Sequence, residues 1–231
     1  MLRGMHRDRV ADLGNGLGDY ERAIGVLPGL IPAGRRDTLV AQMISSLRRI
    51  EYIQAIQRRS ISTDRLDPQS RLFDPIKAAA YLGRRGNTNE AVWLTFVATH
   101  FGKHRTDEWR LTANVMGSFG QGPTWTATQF GTNKPDFHAM LVRNEALLRD
   151  PRQSGRYSNH RQYQSKQPDH IFRTFDTFYD WLFSQGSFQS LLEHVHRNCG
   201  QEPTAGFDFM YRMLHGVSGF GRLANSIFLR C

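Results

Sequence analysis

The stretch Thr88-Asn89-Glu90-Ala91-Val92-Trp93-Leu94-Thr95-Phe96-Val97-Ala98-Thr99-His100-Phe101-Gly102-Lys103-His104-Arg105 decides the fold class. Its apolar residues at 91, 92, 94, 96, 97, 98 and 101 run almost all round a helix, so other helices must surround it. Thr88 or Asn89 is placed to cap the start, and Glu90 sits in the first turn, where the helix dipole favours negative charge. Gly102 ends the helix, and Lys103, His104 and Arg105 place cationic donors at its exit. A carboxylate, the Trp93 indole and the His100 imidazole on a core helix that opens onto a basic edge point to a site facing an anionic polymer.

The rest of the chain reads as helices around this one. An amphipathic helix is expected over Arg35–Arg58, with Leu39, Val40, Met43, Ile44, Leu47, Ile50, Ile53 and Ile56 as its apolar stripe. Asp74-Pro75 opens a short helix over Ile76–Leu82, with Pro75 at its first position. Further helices are expected over Asp107–Phe119, from Lys134 or Pro135 to Arg149, and over Ile171–Gln185, Ser187–Arg197 and Pro203–His215. Residues 117–133 and 150–168 read as loops, and no stretch sustains the alternation of a strand. The fold class is all-α. Residues 1–26 read as a flexible lead-in, because Gly14-Asn15-Gly16-Leu17-Gly18 follows no strand and precedes no Lys-Ser/Thr pair; residues 27–231 form a single helical domain.

Charge narrows the partner. The 231 residues carry a net +9 with a pI near 10.1, and of 30 basic side chains only Lys77, Lys103, Lys134 and Lys166 are lysines. Arginine grips phosphates bidentately and stacks on bases, so a nucleic acid is the expected partner, although an arginine-rich codon usage would give the same bias. Mean hydropathy is -0.51, no long apolar run exists, and Cys199 and Cys231 form no framework. A cytoplasmic protein, monomeric and away from membranes, is expected.

Three local signals carry chemistry. Leu214-His215-Gly216-Val217-Ser218-Gly219-Phe220-Gly221-Arg222 has the form of a helix-hairpin-helix, whose glycines let backbone N–H groups approach a DNA phosphate. A glycine-rich connection that touches nothing is the alternative. Gly155-Arg156-Tyr157-Ser158-Asn159-His160-Arg161-Gln162-Tyr163-Gln164-Ser165-Lys166 interleaves arginines, tyrosines and amides, the set that stacks on an unpaired base, or forms a solvated loop. Glu90 and Asp208 are the acids on expected core helices, as catalytic groups or as caps and arginine partners. The pairs His100/His104 and His194/His196 lack supporting ligands, so no metal and no cofactor is expected.

Leu27-Pro28-Gly29, Ser46-Leu47-Arg48-Arg49, Leu72-Phe73-Asp74-Pro75, Asn89-Glu90 through Leu94, His100-Phe101-Gly102-Lys103-His104, Trp109-Arg110-Leu111, Asn159-His160-Arg161, and Phe207-Asp208 through Tyr211-Arg212 to Phe220-Gly221-Arg222 occur in this order. Together they resemble the third clade of the α-glutamyl/putrescinyl thymine pyrophosphorylase family, over roughly residues 27–225. The resemblance implies a helical frame of the helix-hairpin-helix DNA glycosylase type and a link to hypermodified bases of phage DNA. It also implies a kinship with bacterial anti-phage glycosylases that remove glucosylated hydroxymethylcytosine.

Carried over by position, Asn89, Trp93, His100, Trp109, Asn159 and Tyr163 would line a modified-base pocket. Lys103, His104, Arg105, His160, Arg161, Ser218, Gly219, Gly221 and Arg222 would bind DNA. Glycosylases of this type place their catalytic aspartate after the hairpin, whereas Asn225-Ser226-Ile227-Phe228-Leu229-Arg230-Cys231 holds no acid, which shifts the expectation to Asp208 or Glu90. The expected activity is therefore excision of a hypermodified base from double-stranded phage DNA, leaving abasic sites, as an anti-phage defence. The nucleotide would be flipped and the carboxylate would stabilise an oxocarbenium-like transition state. Two alternatives stand beside it: a transferase acting on a pyrophosphorylated hydroxymethyl-pyrimidine, and a non-catalytic DNA-binding module.

Overall fold

A computed structural model describes residues 7–32, 34–158, 165–221, 224–225 and 228–229. Every regular element among them is helical, and the one strand-like pairing is an isolated bridge between His104 and Glu108. The chain divides into two compact units, Met1–Arg58 and Arg59–Cys231.

The first unit is a helical hairpin: α1 (Arg7–Ala23), a 3-10 turn at Pro28–Leu30, and α2 (Arg35–Arg58). α2 has the bounds its apolar stripe predicts. Helix α1 replaces the flexible lead-in expected there, despite its three glycines. An Arg9–Glu51 ion pair at 3.0 Å and an Arg36–Glu21 pair tie the two helices together, a long-range support invisible to local propensity.

The second unit contains α3 (Pro75–Gly83), α4 (Thr88–Phe101), α5 (Arg110–Met116), α6 (Ala127–Thr132), α7 (Lys134–Arg143) and α8 (Glu145–Arg149). It continues with α9 (Pro151–Ser154), α10 (Pro168–Leu182), α11 (Phe188–Cys199) and α12 (Pro203–Met213). The opening stretch does form the central helix, α4, with Trp93, Leu94, Phe96, Val97, Ala98 and Phe101 buried. Across from it α10 contributes Phe175, Phe178 and Leu182, and Phe96 stacks on Phe178 with ring centroids 3.9 Å apart. Trp93 meets Phe175 edge-on at 5.4 Å and lies 5.1 Å from Phe130 of α6. Each of these side chains contributes roughly 1.5–3 kcal/mol by leaving water, which explains why a helix apolar on all sides is stable here.

Three further expectations change. The helix expected through Arg149 breaks at Asn144, whose buried side chain donates to the Met140 carbonyl at 2.9 Å; α8 restarts beyond it. The helix expected over Asp107–Phe119 is confined to Arg110–Met116 and followed by a left-handed turn at Ser118 and Phe119. Residues 127–132, expected as loop, form α6, because Thr126 Oγ1 accepts the Gln129 N–H at 3.0 Å and Glu90 Oε2 accepts that of Ala127 at 2.8 Å.

Candidate functional site

The N-terminal half of α4 is a docking edge. Asn89 does not cap its own helix; its Oδ1 accepts the Phe188 N–H at 2.8 Å, at the start of α11. Glu90 holds the start of α6, and the fully buried Trp93 donates its indole N–H to the Trp125 carbonyl at 2.9 Å. Asn89, Glu90 and Trp93 are thereby each spent on a segment outside their own helix. Burial pushes the Glu90 carboxyl up from 4.5 to about 7, partly offset by the Ala127 hydrogen bond. His100 lies inside the core, 2% exposed, with Phe101, Tyr157, Phe175 and Phe96 around its ring.

The C-terminal end of α4 is where charge collects. Gly102 turns the chain with φ 68 and ψ 158, a conformation that only glycine adopts readily, and the Ser158 N–H donates to the Phe101 carbonyl at 3.0 Å. A Cβ at Gly102 would overlap the Ser158 hydroxyl, so glycine is required here on two counts. Reciprocal backbone hydrogen bonds between His104 and Glu108, both 3.0 Å, close the following turn. Inside it Asp107, its side chain 9% exposed, receives Arg110 Nη2 at 2.8 Å and Arg156 Nη1 at 3.0 Å. Its own backbone N–H donates to His104 Nδ1 at 3.1 Å.

Lys166 completes the cluster from the far end of the 155–166 segment. Its ammonium donates to the Ser154 hydroxyl at 2.9 Å and to the Gly155 carbonyl. Burial, followed by the charge of Arg156, lowers its pKa below the ordinary lysine value, which eases the loss of its proton. Lys103 pairs with Glu108 at 3.4 Å, and Arg105 stands exposed. Arg110 and Arg156 thus meet on the nearly buried Asp107 carboxylate with His104 beside it, and Lys103, Arg105 and Lys166 add cations from the same two stretches of chain.

Sequence reasoning names the basic exit and the 155–166 loop but misses Asp107, which joins them. The available signal was the Asp107/Arg110 spacing of three, which one turn brings together through the Arg110 N–H on the Asp107 carbonyl at 3.0 Å. The other expected residues are not all brought to this edge. Trp109 is buried against Phe73 and Ala98 in a small separate cluster. Asp208 is exposed on α12 and pairs with Arg212 at 2.7 Å, an ordinary surface i,i+4 pair. The Ser218 N–H, expected on a phosphate, donates to Thr177 Oγ1 at 3.0 Å; Gly219 has φ 73, and Gly216 and Gly221 have open space above them. Asn159, His160, Arg161, Tyr163 and Arg222 lie outside the described residues. Among the described residues no group of three or more His, Cys, Asp or Glu is placed to hold a metal, and no helix is long and apolar enough to cross a membrane.

A family model described as alpha-glutamyl/putrescinyl thymine pyrophosphorylase clade 3 matches residues 34–230. No curated protein and no solved structure matches the chain. The match corrects the expected activity: the family is named for a pyrophosphorylase of modified thymine and not for a hydrolase of the N-glycosidic bond. Base excision, abasic-site formation and the defence role attached to them fall with that expectation, and the transferase alternative takes its place.

Proposed function

The chain belongs to the alpha-glutamyl/putrescinyl thymine pyrophosphorylase family, clade 3, and from this premise we propose that it is a transferase acting on an activated pyrimidine in DNA. The substrate is a 5-hydroxymethyl-pyrimidine esterified with pyrophosphate. An amine attacks the methylene carbon; a C–N bond forms, the C–O bond to pyrophosphate breaks, the nitrogen loses a proton, and pyrophosphate departs with the electron pair.

The basic edge after α4 carries this reading. Arg110 and Arg156, oriented by Asp107, present guanidinium groups that neutralise the departing pyrophosphate. Lys166, with its lowered pKa, gives its proton to the leaving oxygen more readily than an ordinary lysine. The net +9 and the arginine excess suit double-stranded DNA as the carrier. In this reading the all-helical frame is of the helix-hairpin-helix type. The open space at Gly216 and Gly221 supports a close approach of the DNA backbone to the turn after α12.

The test is pyrophosphate release. The protein is incubated with duplex DNA carrying the pyrophosphorylated base and, separately, with glutamate or putrescine. Release that depends on the amine, and that falls at least about tenfold in Arg110→Gln and Arg156→Gln, is the expected result. A folded protein that binds the DNA and releases no pyrophosphate with either amine would leave the non-catalytic DNA-binding reading in its place.

A further inference from the structure

At the opposite end of α4 from the basic edge lies a cavity of about 220 Å³ between the 118–125 loop and α7. Trp125 and Met140 form its apolar lining, Gln121 and Gln129 bring amides, and Asp136 and Arg143 bring opposite charges. The Glu90–Ala127 and Trp93–Trp125 hydrogen bonds fix this region to the first turns of α4. It shares no residue with the cluster around Asp107.

Four observations single it out. The loop forming one wall holds three successive residues in the left-handed region: Ser118 (φ 54), Phe119 (φ 54) and Gly120 (φ 77). Two of these are not glycine, and such strain persists only where the surrounding structure enforces it. The enforcing contact is the buried Ser118 hydroxyl, which donates to the Pro123 carbonyl at 2.6 Å. Second, Trp125 is fixed through both backbone groups, its N–H on Met116 and its carbonyl on Trp93, so its side chain holds a set position in the wall.

Third, neither Asp136 nor Arg143 has an ion-pair partner among the described residues, whereas neighbouring Lys134 and Arg149 both do. Fourth, the two charges stand seven residues apart on one helix. At 1.5 Å per residue this is about 10 Å along one face, too far for them to neutralise each other directly. The cavity lies below the roughly 300–1,000 Å³ typical of drug-sized ligands, so its occupant is a small metabolite.

We infer that this cavity is a binding site for a small, extended zwitterion, with its ammonium end at Asp136 and its carboxylate end at Arg143. The methylene chain lies along Met140 and the Trp125 ring, and the Gln121 and Gln129 amides meet its polar atoms. A molecule with one charge leaves the other pocket charge unpaired, and that is the source of selectivity.

The probe is 6-aminohexanoate, titrated by calorimetry against the full chain beside hexanoate and hexylamine at the same pH. Saturable binding of the zwitterion at least about tenfold tighter than either mono-ion is expected, since each charge-assisted contact is worth about tenfold. Asp136→Asn and Arg143→Gln, both at exposed positions, are expected to reduce zwitterion affinity by a similar factor without lowering the melting temperature. Trp125→Phe, which keeps the backbone carbonyl that Trp93 uses but shortens the apolar wall, is expected to weaken binding about threefold. Equal affinity for the three compounds, or no saturable binding of 6-aminohexanoate, overturns the inference. Pyrophosphate release is read independently, so failure of either proposal is distinguishable from failure of the other.

Discussion

Glu90 and Ala127, 37 positions apart, are joined by a hydrogen bond of 2.8 Å from the Ala127 N–H to Glu90 Oε2. This carboxylate, which from sequence could be a catalyst or a cap, caps a helix other than its own. Burial raises its pKa from 4.5 to about 7, so folding favours the protonated form. The stabilisation from proton uptake is complete below about pH 4.5 and is lost as pH rises through 7. Glu90→Gln keeps an acceptor for Ala127 and removes the titration. Its unfolding free energy should lie close to wild type at pH 4.5 and exceed it at pH 8 by about 1–3 kcal/mol, with a higher melting temperature there. Parallel melting curves for the two proteins across this range would refute the assignment.

Asn89 serves the same purpose 99 positions away, through the Phe188 N–H. Asn89→Ala should cost about 1 kcal/mol, the typical value of a lost cap, and should speed amide exchange at Phe188 while leaving α4 itself protected. Urea unfolding gives the first quantity and hydrogen exchange the second. Loss of protection throughout α4 instead would mean that Asn89 supports its own helix.

These two residues show what sequence reading reaches and where it stops. The helical class, the bounds of α2 and the burial of α4 follow from apolar periodicity, which is a local property. Helix α1 and helix α6 were missed because their supports are distant: Glu21 and Arg9 reach α2, and Glu90 reaches Ala127. Asn89 and Trp93 were expected to line a base pocket because the family resemblance carries that role to their positions. Their partners are backbone atoms of α11 and of the 118–125 loop, which no spacing in the chain reveals. The basic exit and the 155–166 loop were both legible as charge-rich stretches, and Asp107, the residue that joins them, was not.

Asp107→Asn tests that junction. The asparagine keeps one acceptor oxygen but not the charge that holds Arg110 and Arg156, and a nearly buried carboxylate lost from two guanidiniums should cost about 2–4 kcal/mol. Pyrophosphate release should fall with it, because the arginines lose their orientation. DNA affinity at low salt should hold or rise, because two cations are freed from an internal partner, and its salt dependence should steepen by about one unit. If DNA binding falls in step with pyrophosphate release, Asp107 is a general support of the fold and not an organiser of the cluster.

The turn after α4 is the most restrictive point in the site, and Gly102 shows why. At φ 68 and ψ 158 an alanine is strained by its own backbone, at about 1–3 kcal/mol, before any contact is counted. Its Cβ would also overlap the Ser158 side chain, which is held in place by the bond from the Ser158 N–H to the Phe101 carbonyl. Gly102→Ala should therefore lose about 2–6 kcal/mol in all, the sum of backbone strain and overpacking, and should lower pyrophosphate release by displacing Arg156. Ser158→Gly removes both atoms that overlap while keeping the backbone hydrogen bond. In the double variant the steric part should return, leaving a deficit of about 1–3 kcal/mol from the backbone alone. Chemical denaturation of the four proteins measures this coupling. Strict additivity of the two substitutions would show that the close approach of residues 102 and 158 does not set the position of the 155–158 segment.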